Sequence, residues 1–189
     1  MAAQIRQASS ADVEAVVRVI KAVFDEYSFT WDPADYHADL YDLDAHYGAK
    51  GNHFFVAEVG GRIEGTVALE LFPQLPGALG ELALVEGARR VAGADCSLER
   101  LYVHPAARNQ GLGRALVQHV VDEARARGRN ALELWSDKRF GDAHRLYQRF
   151  GAKVIGDRVC HDPDQSPEWG LLINIEELAS REKRALTQD

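Results

Sequence analysis

The chain has little cysteine and no long apolar segment. Its 189 residues include only two cysteines, Cys96 and Cys160, which are too few for a disulfide framework and lack metal-ligand spacing. No stretch approaches the roughly 18 uncharged apolar residues that a membrane span needs. The first residues also lack the apolar core of a secretory signal. We therefore expect a cytoplasmic protein with no membrane partner and no bound metal.

Basic residues are missing from one long segment. Between Ala22 and Ala49 there is no Lys or Arg, yet seven acids occur there, which equals the formal net charge of −7. Residues 97–160, by contrast, carry twelve basic and seven acidic side chains, a net of +5. A polyanionic ligand would be attracted to the middle of the chain and repelled by its beginning. Since the chain is not basic overall, we expect no nucleic-acid partner.

The chain does have enough apolar residues for a folded core. The chain is 46% hydrophobic and 27% charged, a composition that can bury a sizeable core and rules out disorder as the default. We expect a single domain over residues 1–189, with a core from about residue 4 to 175 and a charged, frayed tail over 177–189. Hydrophobic periodicity predicts an α+β order of elements. Strands are predicted at Ile5–Ala8, His53–Val59, Ile63–Phe72, Glu81–Val85, Leu98–Val103, Ala131–Trp135, Val154–Cys160 and Trp169–Ile175, and helices over Val13–Phe24, Pro33–Tyr47, Leu112–Arg127 and Gly141–Phe150.

Residues 97–120 contain an apolar strand, a proline stop and a glycine-containing turn into a helix. The turn is the run Arg108-Asn109-Gln110-Gly111-Leu112-Gly113, and Arg114 follows it. Glycines at a helix start let the backbone approach a ligand closely and leave N–H groups pointing outward. Together with the helix dipole they form an anion site suited to a pyrophosphate. The alternative is a plain turn, because the run is neither a Walker loop nor a good dinucleotide fingerprint.

The whole run resembles the Arg/Gln-x-x-Gly-x-Gly/Ala signature of the GNAT superfamily of acyl-CoA-dependent N-acetyltransferases. The preceding Leu101-Tyr102-Val103-His104-Pro105 matches the strand and proline that lead into that signature. The later run Ala143-His144-Arg145-Leu146-Tyr147-Gln148-Arg149-Phe150-Gly151 is similar to the family's second block. The resemblance covers residues 4–175 in element order and is specific over 98–151. It implies a layered α+β fold, with a mixed, mostly antiparallel sheet of six to seven strands, splayed central parallel strands and about four helices.

The resemblance also implies acetyl-CoA as the co-substrate. In GNAT enzymes the pantetheine arm lies between the splayed strands, so the backbone of Leu101, Tyr102 and Val103 would pair with it. The N–H of Val103 would polarise the thioester carbonyl. The pyrophosphate would be held by the amides of Arg108, Asn109, Gln110, Gly111, Leu112, Gly113 and Arg114. The basic middle segment fits this polyanion independently of the resemblance.

Direct attack of an amine on a thioester needs a base for the amine and an acid for the departing thiolate. Tyr147 matches the family's tyrosine acid, although a core aromatic residue would give the same pattern. Two carboxylates on strands are candidates for the base, with Glu99 favoured over Glu133. The alternative for either is an ion pair with an arginine, since an unpaired buried carboxylate is costly. One departure is Phe140, which stands where the family often has a cofactor-binding asparagine.

The acceptor site of this fold usually lies against the first two helices and the loop between them. In that region Tyr27, Phe29, Trp31, Asp32 and Asp35 combine aromatic rings with carboxylates, which suits a cationic primary amine. The alternative is a solvated acidic helix face. A second possible function is a catalytically inactive acyl-CoA sensor or structural module of the same fold. A homodimer through the late strands is a further expectation.

Overall fold

The structure is a computed structural model that describes residues 3–186. Seven of its strands form one mixed sheet in the order β1-β2-β3-β6-β7-β9-β8, and β4 and β5 form a separate two-stranded sheet. The strands are β1 (Gln4–Gln7), β2 (His53–Val59), β3 (Arg62–Leu71), β4 (Leu82–Val85), β5 (Ala88–Val91), β6 (Cys96–Val103), β7 (Ala131–Asp137), β8 (Lys153–Val159) and β9 (Pro167–Asn174). The α-helices are α1 (Val13–Tyr27), α2 (Leu43–His46), α3 (Leu112–Ala126), α4 (Gly141–Arg149) and α5 (Ile175–Leu186). The predicted α+β fold with a mixed sheet is confirmed.

Contacts within the chain divide it into two compact units. The first contains the residues up to Glu70 together with Leu98–Val120 and Val159–Ser166. The second contains Leu71–Ser97, Val121–Arg158 and the residues from Pro167 onward. The single-domain organisation stays a prediction. No helix in the described part of the chain is long and apolar enough to cross a membrane.

In the first unit, α1 forms one wall of the core. Its Val16, Val19 and Ile20 are fully buried, because apolar residues recur at helical spacing along one face. The carboxylate of Asp12 accepts the backbone N–H of Ser9 at 2.8 Å, a capping interaction directly before the helix. The helix packs on the antiparallel strands β1, β2 and β3 through a cluster that includes Leu40, Leu43, Tyr47, Phe54 and Val56.

The predicted helix over Pro33–Tyr47 is wrong. The segment forms turns, a 3₁₀ helix at Ala38–Tyr41 and the four-residue α2. In an α-helix the Tyr36 carbonyl would accept the N–H of Leu40, but here it accepts Nη2 of Arg100 at 2.6 Å. The Leu40 N–H instead donates to the carbonyl of His37 at 3.2 Å. The hydrogen bond from Arg100, which is distant in sequence, therefore favours a non-helical backbone here, although the side chains have helical spacing.

In the second unit, β7 is a fully buried strand that pairs antiparallel with β9. Gly170 lies directly opposite Trp135 in this register. A Cβ atom at residue 170 would come within 2.5 Å of the Trp135 ring, so the indole occupies the space above the glycine. Substituting Gly170 would displace this ring from the core.

Two further expectations are corrected in the second unit. Sequence reasoning missed β5, which pairs with β4 across a two-residue turn in which Glu86 and Gly87 both have positive φ. The expected frayed tail over 177–189 is helical through Leu186, and residues 187–189 lie outside the described part. Asn174 caps the start of this helix, because its Oδ1 accepts the Glu177 N–H at 3.0 Å.

Candidate active site

The strand β6 changes its environment along its length. Its first residues, 96–98, are buried, whereas residues 99–103 are only partly buried. The strand ends where Pro105 opens a single 3₁₀ turn, in which His104 Nδ1 accepts a backbone N–H at 3.3 Å. The half of β6 that the sequence predicts to contact acyl-CoA is therefore its more accessible half.

The loop between β6 and α3 bends through two residues of positive φ. Asn109 has φ 62° and Gly111 has φ 81°. A Cβ atom at Gly111 would meet no atom within 4 Å, so glycine is favoured there by backbone conformation and not by space. The helix begins at the next residue, and Ala115 donates to the Gly111 carbonyl at 3.0 Å. The amides of Leu112 to Arg114 therefore form the electropositive start of α3.

The side chain of Arg108, the first residue of the signature, reaches α1. Its Nη1 and Nη2 donate to the two carboxylate oxygens of Glu26 at 2.9 and 2.6 Å. The side chains are 33% and 40% exposed, so this ion pair is in contact with solvent. A phosphate that binds Arg108 would compete with Glu26, a residue that sequence reasoning did not connect with the loop.

Arg100 lies at an irregular point of β6 and connects this strand to residues 36–39. Its φ is 52°, which is unusual for a residue with a side chain. Nε and Nη2 donate to the carboxylate of Asp39 at 3.0 and 2.7 Å, and the guanidinium lies 4.9 Å from the centre of the Tyr36 ring. Burial alone would lower the pKa of Arg100, but the Asp39 carboxylate contributes to raising it above its usual value. Asp39 thus neutralises a cation and is not an acid of a helix face.

The aromatic residues expected at the acceptor site form a packed cluster in the first unit. The His37 imidazole stacks on Trp31 with a centroid distance of 3.9 Å, and Phe29 contacts Phe24 edge-on at 5.4 Å. Tyr27 in turn lies 5.4 Å from Phe29. Burial lowers the pKa of His37 to about 4, so its ring is neutral at pH 7. Tyr27, Phe29 and Trp31 remain partly exposed and are the rings of this cluster that a ligand can reach.

Most acids of the segment between Ala22 and Ala49 already have partners. Five of the seven are engaged: Asp25 with Lys21, Glu26 with Arg108, Asp39 with Arg100, Asp32 with the N–H groups of Ala34 and Asp35, and Asp42 with the N–H of Ala45. Three of these partners are cations, so the segment's −7 is reduced to −4 by its own ion pairs. The carboxylates of Asp35 and Asp44 are exposed. The attraction for a cationic ligand is weaker than the sequence suggests.

The two candidate bases have different surroundings. Glu133 in β7 is fully buried, forms an ion pair with Arg90 and accepts the Val91 N–H at 2.7 Å. Oε2, the oxygen that accepts the Val91 N–H, also accepts a hydrogen bond from Nε1 of Trp135 at 3.3 Å. This set of donors gives Glu133 a structural role within the second unit. Glu99 in β6 is partly buried and belongs to the more accessible half of its strand.

Tyr147 lies on α4 and is 4% exposed. The helix begins after Phe140, the residue that departs from the family pattern. Asp137 accepts two bonds from the Arg139 guanidinium, at 2.9 and 2.6 Å, and His144 Nε2 lies 3.2 Å from Ser136 Oγ. Asp137 and His144, the polar residues near Phe140, are thus both engaged within the second unit.

The described residues contain no group of three or more His, Cys, Asp and Glu side chains able to hold a metal ion.

Cys160 lies in the first unit, where its thiol donates a hydrogen bond to the Tyr36 hydroxyl at 3.7 Å. The first unit contains the signature loop, the more accessible half of β6 and a cluster of aromatic and acidic residues.

Comparison with known proteins identifies the family to which this order of strand, glycine turn and helix belongs. Residues 17–152 match the model of the acetyltransferase (GNAT) family. This match spans more than half of the chain, which therefore belongs to that family and is an acetyltransferase. The predicted family and enzyme class are confirmed.

Solved structures of GNAT proteins share the fold. A GNAT acetyltransferase of Staphylococcus aureus Mu50 is 19% identical, with a TM-score of 0.70 over 92% of this chain and 99% of that chain. The protein yncA of Salmonella typhimurium, solved with its cofactor acetyl-CoA, is 20% identical, with a TM-score of 0.64 over 93% and 95%. The ribosomal-protein-S18-alanine N-acetyltransferase of Escherichia coli is 19% identical, with a TM-score of 0.64 over 92% and 94%. Among curated proteins no sequence matches this chain.

Proposed function

We propose that the protein transfers an acetyl group from acetyl-CoA to a primary amine by direct attack. The observation that carries this proposal is the signature loop, in which Asn109 and Gly111 turn the backbone and α3 starts four residues after Arg108. The fit to a pyrophosphate is good, because the start of α3 supplies N–H donors and Arg108 and Arg114 supply charge. When bound, acetyl-CoA supplies a thioester carbonyl carbon that an amine nitrogen can attack.

The roles of the chain's own groups follow from their chemistry. Backbone groups of Leu101, Tyr102 and Val103 would hold the pantetheine arm, and the Val103 N–H would donate to the carbonyl oxygen as charge develops there. Glu99 would accept a proton from the ammonium group, directly or through water, because only the neutral amine is a nucleophile. Tyr147 would donate its phenolic proton to the departing sulfur. Glu133 is the weaker candidate base, since its oxygens already accept from Arg90, Val91 and Trp135.

The acceptor is a cationic amine that reaches the rings of Tyr27, Phe29 and Trp31. Asp35 is the carboxylate best suited to attract it, because Asp32 already accepts the N–H groups of Ala34 and Asp35. Charge reversal of Asp35 should raise the KM for the amine, whereas reversal of Asp44, an exposed acid of the same segment, should not. Equal KM values for the two variants would contradict this assignment.

The function is tested by thiol release from acetyl-CoA with a panel of primary amines. Turnover with at least one amine is expected, and a Tyr147→Phe variant should bind acetyl-CoA normally but turn over more slowly. Measurable cofactor binding with no turnover for any amine would favour the alternative of an inactive acyl-CoA sensor.

A further inference from the structure

The backbone of β6 departs from regular strand geometry at Arg100. A residue other than glycine in the left-handed region costs free energy, and persists only where its surroundings fix it. In this strand the irregular residue immediately precedes Leu101, Tyr102 and Val103, the residues that the proposed function assigns to acyl-CoA. Something must hold Arg100 in this conformation if the following amides are to keep one orientation.

The side chain of Arg100 is fixed by residues 36–39. Asp39 accepts two bonds from the guanidinium, at 3.0 and 2.7 Å, and the Tyr36 carbonyl accepts a third at 2.6 Å. The Arg100 and Asp39 side chains are only 13% and 18% exposed, which protects the pair from screening by salt. Tyr47 donates its hydroxyl to the same Asp39 carboxylate at 2.5 Å and fixes that group in turn.

The main chain of Arg100 is fixed by β3. The hydroxyl of Thr66, which is fully buried, donates to the Arg100 carbonyl at 2.8 Å. The Glu64 carbonyl accepts the N–H of His104 at 2.9 Å. Thr66 and Glu64 are two residues apart on β3, whereas Arg100 and His104 are four residues apart, in β6 and directly after it. Together with the positive φ of Arg100, this spacing indicates extra chain length, a β-bulge, at this point. Such a bulge re-aims the backbone groups within it.

We infer that Asp39 and Thr66 are positioning residues that hold this bulge and thereby aim the Val103 N–H at the reacting carbonyl. The inference rests on the proposed function, because it assigns a purpose to the orientation of that amide. Asp39 acts through the Arg100 side chain, and Thr66 acts through the Arg100 carbonyl. Because the two act on different groups of one residue, they can be tested independently.

The test compares Asp39→Asn and Thr66→Val with two matched variants. Thr66→Ser keeps the hydroxyl donor and serves as the rescue. Asp12→Asn is the control, because Asp12 also accepts two bonds from an arginine, Arg6, at 2.8 Å each, away from β6. Activity is measured as kcat and as KM for acetyl-CoA. Amide hydrogen exchange of His104, which reports the register of β6 on Glu64, is measured without substrate.

We expect kcat to fall about tenfold in Asp39→Asn and about threefold in Thr66→Val, with less than a twofold change in KM, because a misaimed donor weakens the transition state more than cofactor binding. Thr66→Ser and Asp12→Asn should keep the wild-type kcat. Exchange at His104 should be faster in the first two variants only. Should Asp39→Asn fail to fold, Thr66→Val carries the test by itself.

The inference is overturned if kcat in Thr66→Val equals that of Thr66→Ser, or if His104 exchanges no faster in either test variant than in Asp12→Asn. A wild-type protein that releases no thiol with any amine would refute the proposed function, and the exchange measurement alone would then decide whether Asp39 and Thr66 hold the bulge.

Discussion

The ion pair between Glu26 and Arg108 should reduce the affinity of the free enzyme for acetyl-CoA. If Arg108 binds the cofactor's phosphates as proposed, it must first leave the carboxylate to which it donates two bonds, at 2.9 and 2.6 Å. The perturbation is Glu26→Gln, which keeps the size of the side chain and removes its charge. The variant should bind acetyl-CoA more tightly than the wild type.

The magnitude follows from the exposure of the pair. With side chains 33% and 40% exposed, the pair is comparable to surface ion pairs, which are worth about 0.2–1 kcal/mol. Releasing that interaction corresponds to a Kd that is about 1.4- to 5-fold lower at 25 °C. Because the pair is in contact with solvent, the difference should shrink as ionic strength rises.

The assay is isothermal titration of acetyl-CoA into each protein, at low and at high sodium chloride. Asp25→Asn is the matched control, since it removes one acidic charge from the neighbouring position of α1, where Asp25 pairs with Lys21 at 2.7 Å. The general loss of negative charge is thus separated from release of Arg108. If Glu26→Gln and Asp25→Asn have the same Kd at low salt, the competition between Glu26 and the phosphates does not exist.

Three further changes have defined outcomes. Tyr147→Phe should lower kcat at least tenfold and leave the Kd for acetyl-CoA unchanged, because only the phenolic proton is lost; an unchanged kcat would remove Tyr147 from its role. Glu133→Gln should reduce the free energy of unfolding by about 1–3 kcal/mol in urea titrations, because it removes the buried carboxylate that pairs with the partly buried Arg90. A loss similar to that in exposed Glu81→Gln would contradict the structural role. Folding lowers the pKa of His37 from 6.5 to about 4, so on acidification the unfolded chain binds the proton before the folded protein does. The free energy of unfolding should therefore fall as the pH is lowered from 6.5 to 4, by up to about 1.4 kcal/mol per pH unit. His37→Phe should lack this component of the slope, and identical slopes in the two proteins would show that folding does not lower the pKa of His37.

The sequence predicted best what depends on short-range pattern. The strand, the turn at Gly111 and the start of α3 are encoded within about fifteen residues, and each part constrains the next through φ preferences and capping. The α+β order and the hairpin of β2 and β3 also follow from local periodicity. Such features need no knowledge of distant residues.

The segment from Pro33 to Tyr47 was mispredicted because its conformation depends on residues far away in sequence. Its acids recur at helical spacing, yet Asp39 is bound by Arg100, which lies 61 positions later. The arginine inside a mostly apolar strand was the available signal, since a buried cation requires an acidic partner. The pairing of Glu26 with Arg108 has no such signal, because both residues lie at exposed positions that suit many partners.

The irregular course of residues 33–41 has a consequence for changing the enzyme's acceptor. No helical hydrogen bond joins Tyr36 to Leu40, and the segment is fastened instead by the Asp32 carboxylate and by Arg100. The exposed residues at positions 33–35 can therefore be replaced without breaking a helix. A mutagenesis library intended to find new amine acceptors would vary these three positions freely and keep Asp32 and Asp39 as they are.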